Sequence, residues 1–243
     1  MTATPSLRPR SRRGSGTPPS VRTARITGLL YLAVAITGGL SYLLIRSRIF
    51  VPGDPDATLA HLVDQESLAR LGLALELAVV LVQALAAVWF YRLFSSVDAF
   101  AAGCLAAFGL VNAVAILGSA ALLATALDVA LDSTSATAGS AADTAQLLYV
   151  VSGHLWDVGG LFFGLWLVPM GWLVLRSGWM PRPMGWLLVL GGGGYVLSAF
   201  VGLVLPGAAL LADVLPLPAT VGELWMVGYL LVYGVRDPAC IPR

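Results

Sequence analysis

Six apolar runs, each long enough to cross a bilayer, leave this chain very few folds to choose from. They lie near residues 26–45, 71–91, 100–127, 146–175, 185–205 and 219–235. A helix needs about 20 apolar residues to cross the hydrocarbon core. No water is present there to satisfy backbone N–H and C=O groups, so only helices and closed barrels can span it. The runs show no period-two alternation, which argues against barrel strands. The expected fold is therefore all-α: a polytopic membrane protein built as a six-transmembrane-helix bundle. Composition agrees, with 11% charged residues against about 25% in soluble domains. A net charge of +1 gives no electrostatic footprint for nucleic acid, so nucleic acid is excluded as a partner.

Arginine placement sets the expected orientation. All 14 basic residues are arginine. With the N-terminus inside, Arg8, Arg10, Arg12, Arg13, Arg22, Arg25, Arg92, Arg176, Arg182, Arg236 and Arg243 are cytoplasmic. Only Arg46, Arg48 and Arg70 fall outside. That bias predicts both termini in the cytoplasm. Trp89, Trp172, Trp179 and Trp186 then fall near cytoplasmic ends, as an interfacial aromatic belt would. The organisation reads as a disordered basic tail over 1–21, a six-span domain over 22–236 and a short tail over 237–243. From Asp56 to Ala69 the spacing predicts one short amphipathic helix on the outer surface, with His61 as a solvated interfacial residue. The expected location is a bacterial plasma membrane, multi-pass.

The fourth run carries the chain's most informative residues. His154 and Asp157 stand three positions apart inside an otherwise apolar stretch, on neighbouring parts of one helix face. An ionisable group at that depth costs roughly 2.5–3.5 kcal/mol on insertion scales, which makes it a functional-site hypothesis. Helical rise gives each other polar group a depth. Glu76 lies about 9 Å inward from Arg70, and Glu223 about 8 Å inward from Pro218. Asn112 climbs about 20 Å from the inner end of its span, into the outer half. Gln83 sits one heptad below Glu76 on the same face. These depths predict a shared polar cavity nearer the outside.

The expected acid–base groups are Asp157, His154, Glu223 and Glu76. Two carboxylates in low dielectric repel and lose solvation, so one of them is expected neutral, beside an ionised partner. The expected ligand contacts are Asn112, Gln83, Trp156, Trp225 and Tyr195. One histidine with one aspartate supplies two ligands where zinc wants three or four, so neither metal nor cofactor is expected. Gly160, Gly164 and the run Gly191–Gly194 read as close helix packing, because no strand precedes them and no lysine follows. Pro169 is expected to kink the fourth span.

Several stretches also carry a resemblance. They are Ala24-Arg25-Ile26-Thr27-Gly28-Leu29-Leu30-Tyr31-Leu32, Ser47-Arg48-Ile49-Phe50-Val51-Pro52-Gly53-Asp54 and Leu161-Phe162-Phe163-Gly164-Leu165. Further on come Gly171-Trp172-Leu173-Val174-Leu175-Arg176-Ser177-Gly178 and Gly222-Glu223-Leu224-Trp225. Together they resemble a bacterial integral-membrane family catalogued as domain of unknown function 4386. The resemblance covers roughly residues 22–235 and implies a six-span helical fold with no assigned activity.

Function is therefore expected from the polar groups alone. The first reading is a membrane-embedded binding or accessory protein, with membrane lipids and a hydrophobic small molecule as partners. The second is an acid–base enzyme, isomerase- or cyclase-like, acting on a lipid or isoprenoid. The third is a proton-coupled transporter of a small solute, although the two halves show no internal repeat. Ligand identity and oligomeric state are left open by the sequence.

Overall fold

A computed structural model of the chain describes residues 19–132, 140–205 and 207–235. The expectations for the basic tail before residue 19 and for the chain beyond 235 lie outside the described residues. Among the described residues the regular structure is helical, and six helices are long and apolar enough to cross a membrane. They are Val21–Ile49, Glu66–Phe94, Ala99–Leu131, Ala141–Ser177, Arg182–Val204 and Leu210–Val232, here spans one to six. Polar side chains cap the starts of spans three and four. Asp98 Oδ1 accepts from the Ala101 N–H at 3.1 Å, and Ser140 Oγ accepts from the Asp143 N–H at 3.1 Å. Span four ends at Gly178, whose φ of +67° suits a residue without a Cβ.

Each span packs on the next in sequence, and span six packs back on span one. This closes a ring. Span four leans inward, since its side chains reach Glu76 on span two and Arg46 on span one. Apolar side chains turned away from the ring include Leu81, Val114, Leu190 and Val232, each between 61% and 66% exposed. Such a surface suits lipid rather than water.

Two apolar cores fill the ring at different levels. One holds Phe90, Phe94, Trp166, Met170, Leu173 and Trp179, all fully buried. The other holds Ile45, Ile49, Leu62, Ala126, Leu127 and Tyr149. Along spans two, three and four all the buried polar residues except Ser177 fall between these cores: Glu76 and Gln83, Asn112 and Ser119, then Ser152. The polar layer is thus a consequence of where each span interrupts its apolar stripe.

Three local expectations are corrected. The helix after span one covers only Pro55–Asp64, and Gln65, with φ −116° and ψ 37°, breaks it, so Ala69 belongs to span two. That helix is docked onto the bundle: Thr58 Oγ1 donates to Gln146 Oε1 at 2.7 Å, and Gln146 Nε2 donates to the Val51 carbonyl at 3.1 Å. His61 is half-buried there, its Nδ1 3.3 Å from the Ile49 carbonyl oxygen, instead of solvated. Trp179 is fully buried, its ring stacked on Phe94, so it is a core residue and not part of an interfacial belt.

Candidate functional site

Span one departs from α-helical geometry where it meets the polar layer. Residues Gly39–Ile45 form a π-helical stretch, whose wider turn admits an extra residue and re-aims the side chains after it. Ser41 Oγ reaches the Gly72 carbonyl at 3.2 Å, which seats this stretch against span two. Tyr42 within this stretch and Arg46 just after it join two adjoining groups of side chains.

The first group is a buried polar network. Arg46 Nη1 donates to Ser152 Oγ at 2.9 Å, and its Nη2 donates to the Tyr149 carbonyl. The guanidinium also lies 5.5 Å from the ring centroids of Tyr42 and Tyr149 and 5.9 Å from that of Phe50. Ser152 and Ser119 share a hydrogen bond of 2.8 Å, and Ser119 Oγ donates to Glu76 Oε2 at 3.0 Å. Trp156 Nε1 donates to Glu76 Oε1 at 3.1 Å. Glu76 is only 1% exposed, so both carboxylate oxygens are satisfied inside the bundle. A positive and a negative group thereby belong to one hydrogen-bonded chain, which keeps the network neutral overall.

The second group surrounds a space of about 810 Å³ inside the ring, walled by all six spans. That volume falls within the range of small-molecule sites, roughly 300–1,000 Å³. Most of the wall is apolar, from Val34, Val79, Ile116, Leu161, Phe163 and Val227 among others. Gln83, Asn112, His154, Trp156, Asp157 and Tyr195 are in it, with Tyr31 and Glu223. Tyr31 Oη donates to Glu223 Oε1 across the contact of spans one and six. His154 and Asp157 stand at the open side, their side chains 73% and 66% exposed, with Nδ1 and Oδ2 3.8 Å apart.

Two amides behave differently. Asn112 Nδ2 donates to the Gly159 carbonyl at 3.0 Å and so ties span three to span four. Gln83 is fully buried in the wall with neither amide atom partnered. Leaving such a group unpaired costs about 1–3 kcal/mol.

Of the residues singled out by sequence, Asp157, His154, Glu223, Asn112, Gln83, Trp156 and Tyr195 meet around one space. Glu76 does not line it and sits behind Trp156. Trp225 does not line it either and is 39% exposed on the outside of span six. The sequence reading missed Tyr31, Arg46, Ser119 and Ser152. Arg46 was hidden because an arginine at the end of an apolar run reads as a topological marker. Small hydroxyls such as Ser119 and Ser152 carry no signal of depth or partner.

Fold and geometry together define a multi-pass helical membrane protein whose spans border a partly open, largely apolar space with a few polar groups. The chain belongs to the family described as domain of unknown function DUF4386, whose family model matches residues 26–234. No curated protein and no solved structure matches the chain.

Proposed function

We propose that the protein is a membrane-embedded binding or accessory protein that holds a hydrophobic small molecule in the space between its spans, in the outer half of the bilayer. One observation carries this reading: about 810 Å³ of mostly apolar wall with Asp157, Glu223 and Gln83 set into it. A pocket of that kind binds through its apolar area and orients its ligand through a few polar groups. The placement in the outer half rests on arginine bias, which puts the Pro55–Asp64 helix outside.

The test is mass spectrometry of material extracted from the purified protein, beside a variant with the space filled. Gly160 lines the space, and a Cβ added there meets nothing within 4 Å, so Gly160→Phe narrows it without a backbone clash. The wild type retains a defined hydrophobic molecule at near-stoichiometric amounts, and Gly160→Phe loses it. Equal retention by the two proteins overturns the reading.

A second reading has a specific observation behind it. His154 and Asp157 pair at 3.8 Å on the same wall as Glu223. Such groups suit proton transfer to or from a lipid or isoprenoid. Asp157→Asn and Glu223→Gln then abolish turnover while membrane insertion persists; unchanged lipid products in cells carrying both substitutions end that reading.

A further inference from the structure

The occupied chemistry of the site has a sign. Three acidic residues line the space, Asp157, Asp213 and Glu223, and no arginine does. His154 is the one lining residue able to carry positive charge, and it is paired with Asp157. Arg46 lies against the lining residue Tyr42, and it is committed elsewhere. Its guanidinium is held by Ser152 and by the Tyr149 carbonyl, and its charge is matched by Glu76 through the two serines. The lining therefore holds more acidic than basic side chains. A phosphate or carboxylate headgroup would meet repulsion there, while a cation would find partners in a medium that otherwise penalises its desolvation.

Aromatic rings complete the same wall: Tyr31, Tyr42, Trp156, Phe163, Tyr195 and Phe200. Tyr42 and Trp156 contact at 4.8 Å between centroids, and Phe163 meets Tyr195 edge to face at 5.4 Å. Ring faces within about 6 Å attract organic cations. The protein already uses this interaction internally, with the Arg46 guanidinium 5.5 Å from the centroid of Tyr42, a residue shared by both groups.

We propose that the occupant is a lipophilic organic cation, held by the aromatic wall and neutralised by Asp157 and Glu223. This inference rests on the binding reading above and adds the charge of the ligand to it. Recognition divides between the apolar and aromatic wall, which takes the hydrocarbon, and the carboxylates, which discriminate by sign.

The test uses two ions of nearly the same shape and opposite charge, tetraphenylphosphonium and tetraphenylborate, with triphenylphosphine oxide as a neutral probe. Binding is measured to the full chain in lipid nanodiscs, with binding to empty nanodiscs subtracted. The phosphonium binds saturably and at least about tenfold tighter than the borate. Glu223→Gln and Asp157→Asn each weaken the phosphonium severalfold and leave the neutral probe unchanged. Equal or tighter binding of the borate overturns the proposal, as does phosphonium binding indifferent to both carboxylate substitutions. In either case saturable binding that Gly160→Phe abolishes still supports a ligand cavity. Absence of saturable binding by all three probes overturns the cation proposal and counts against the cavity itself.

Discussion

The indole Nε1 of Trp156 donates to Oε1 of Glu76 at 3.1 Å, and this bond sets the position of a cavity wall residue from behind. Glu76 is thus a positioning group, with Ser119 on its other oxygen and Arg46 two hydroxyls away. Glu76→Ala leaves two buried donors without an acceptor. It should lower unfolding stability in detergent by about 1–3 kcal/mol. Glu76→Gln keeps a carbonyl acceptor and recovers part of that loss. Thermal unfolding followed by tryptophan fluorescence gives both values, and a Glu76→Ala melt equal to that of wild type removes the positioning role.

How much of this was legible in the sequence follows from the physics of each feature. The six spans were, because lipid demands long apolar helices. Helical rise also placed His154, Asp157, Glu223 and Asn112 at similar depths, with Gln83 a heptad further in, and all five do line one space. Rise gives depth but not azimuth, which is why Glu76 at the same depth faces a different network. Trp225 illustrates the same limit, since a tryptophan beside Glu223 points the other way around the helix. The π-helical stretch over Gly39–Ile45 shifts the register of span one, and no apolar pattern announces such a shift. Arg46 and its serine partners depend on that register.

Orientation makes a separate prediction. Six crossings put residues 19 and 235 on the same side, and arginine bias assigns that side to the cytoplasm. Asp56, on the short helix that precedes span two, and Arg92, near the far end of that span, are both exposed. In a cysteine-free background, Asp56→Cys should react with a membrane-impermeant maleimide in intact cells, and Arg92→Cys only after lysis. The reverse labelling pattern inverts the topology and moves the cavity to the inner half.

Glycine packing can be tested residue by residue within one run. A Cβ on Gly194 would stand 2.0 Å from the Leu215 carbonyl oxygen, and one on Gly191 would stand 2.2 Å from the Ala219 nitrogen. Both obstacles are backbone, which cannot turn aside. A Cβ on Gly193 would meet nothing within 4 Å. Gly191→Ala and Gly194→Ala should therefore each cost about 1–3 kcal/mol by forcing spans five and six apart. Gly193→Ala should stay within about 0.5 kcal/mol of wild type. Comparable melting shifts for all three variants contradict this packing.

The contact between Tyr31 and Glu223 joins the first span to the last, so it closes the ring as well as lining its interior. Tyr31 is 2% exposed and meets Phe90 edge to face at 5.2 Å, so Tyr31→Phe keeps the ring packing and removes only the hydroxyl. A hydrogen bond to a charged group contributes about 1.5–3 kcal/mol, and Tyr31→Phe should lose a comparable amount. Glu223→Gln should lose less, because its amide oxygen can still accept. In a double-mutant cycle, the hydroxyl has nothing left to gain once the partner is changed, so Tyr31→Phe should cost less in the Glu223→Gln background. A coupling energy between about 0.5 and 3 kcal/mol is expected. Strict additivity would mean that the two side chains are neighbours without a shared bond. The ring of spans would then be held at that seam by packing alone.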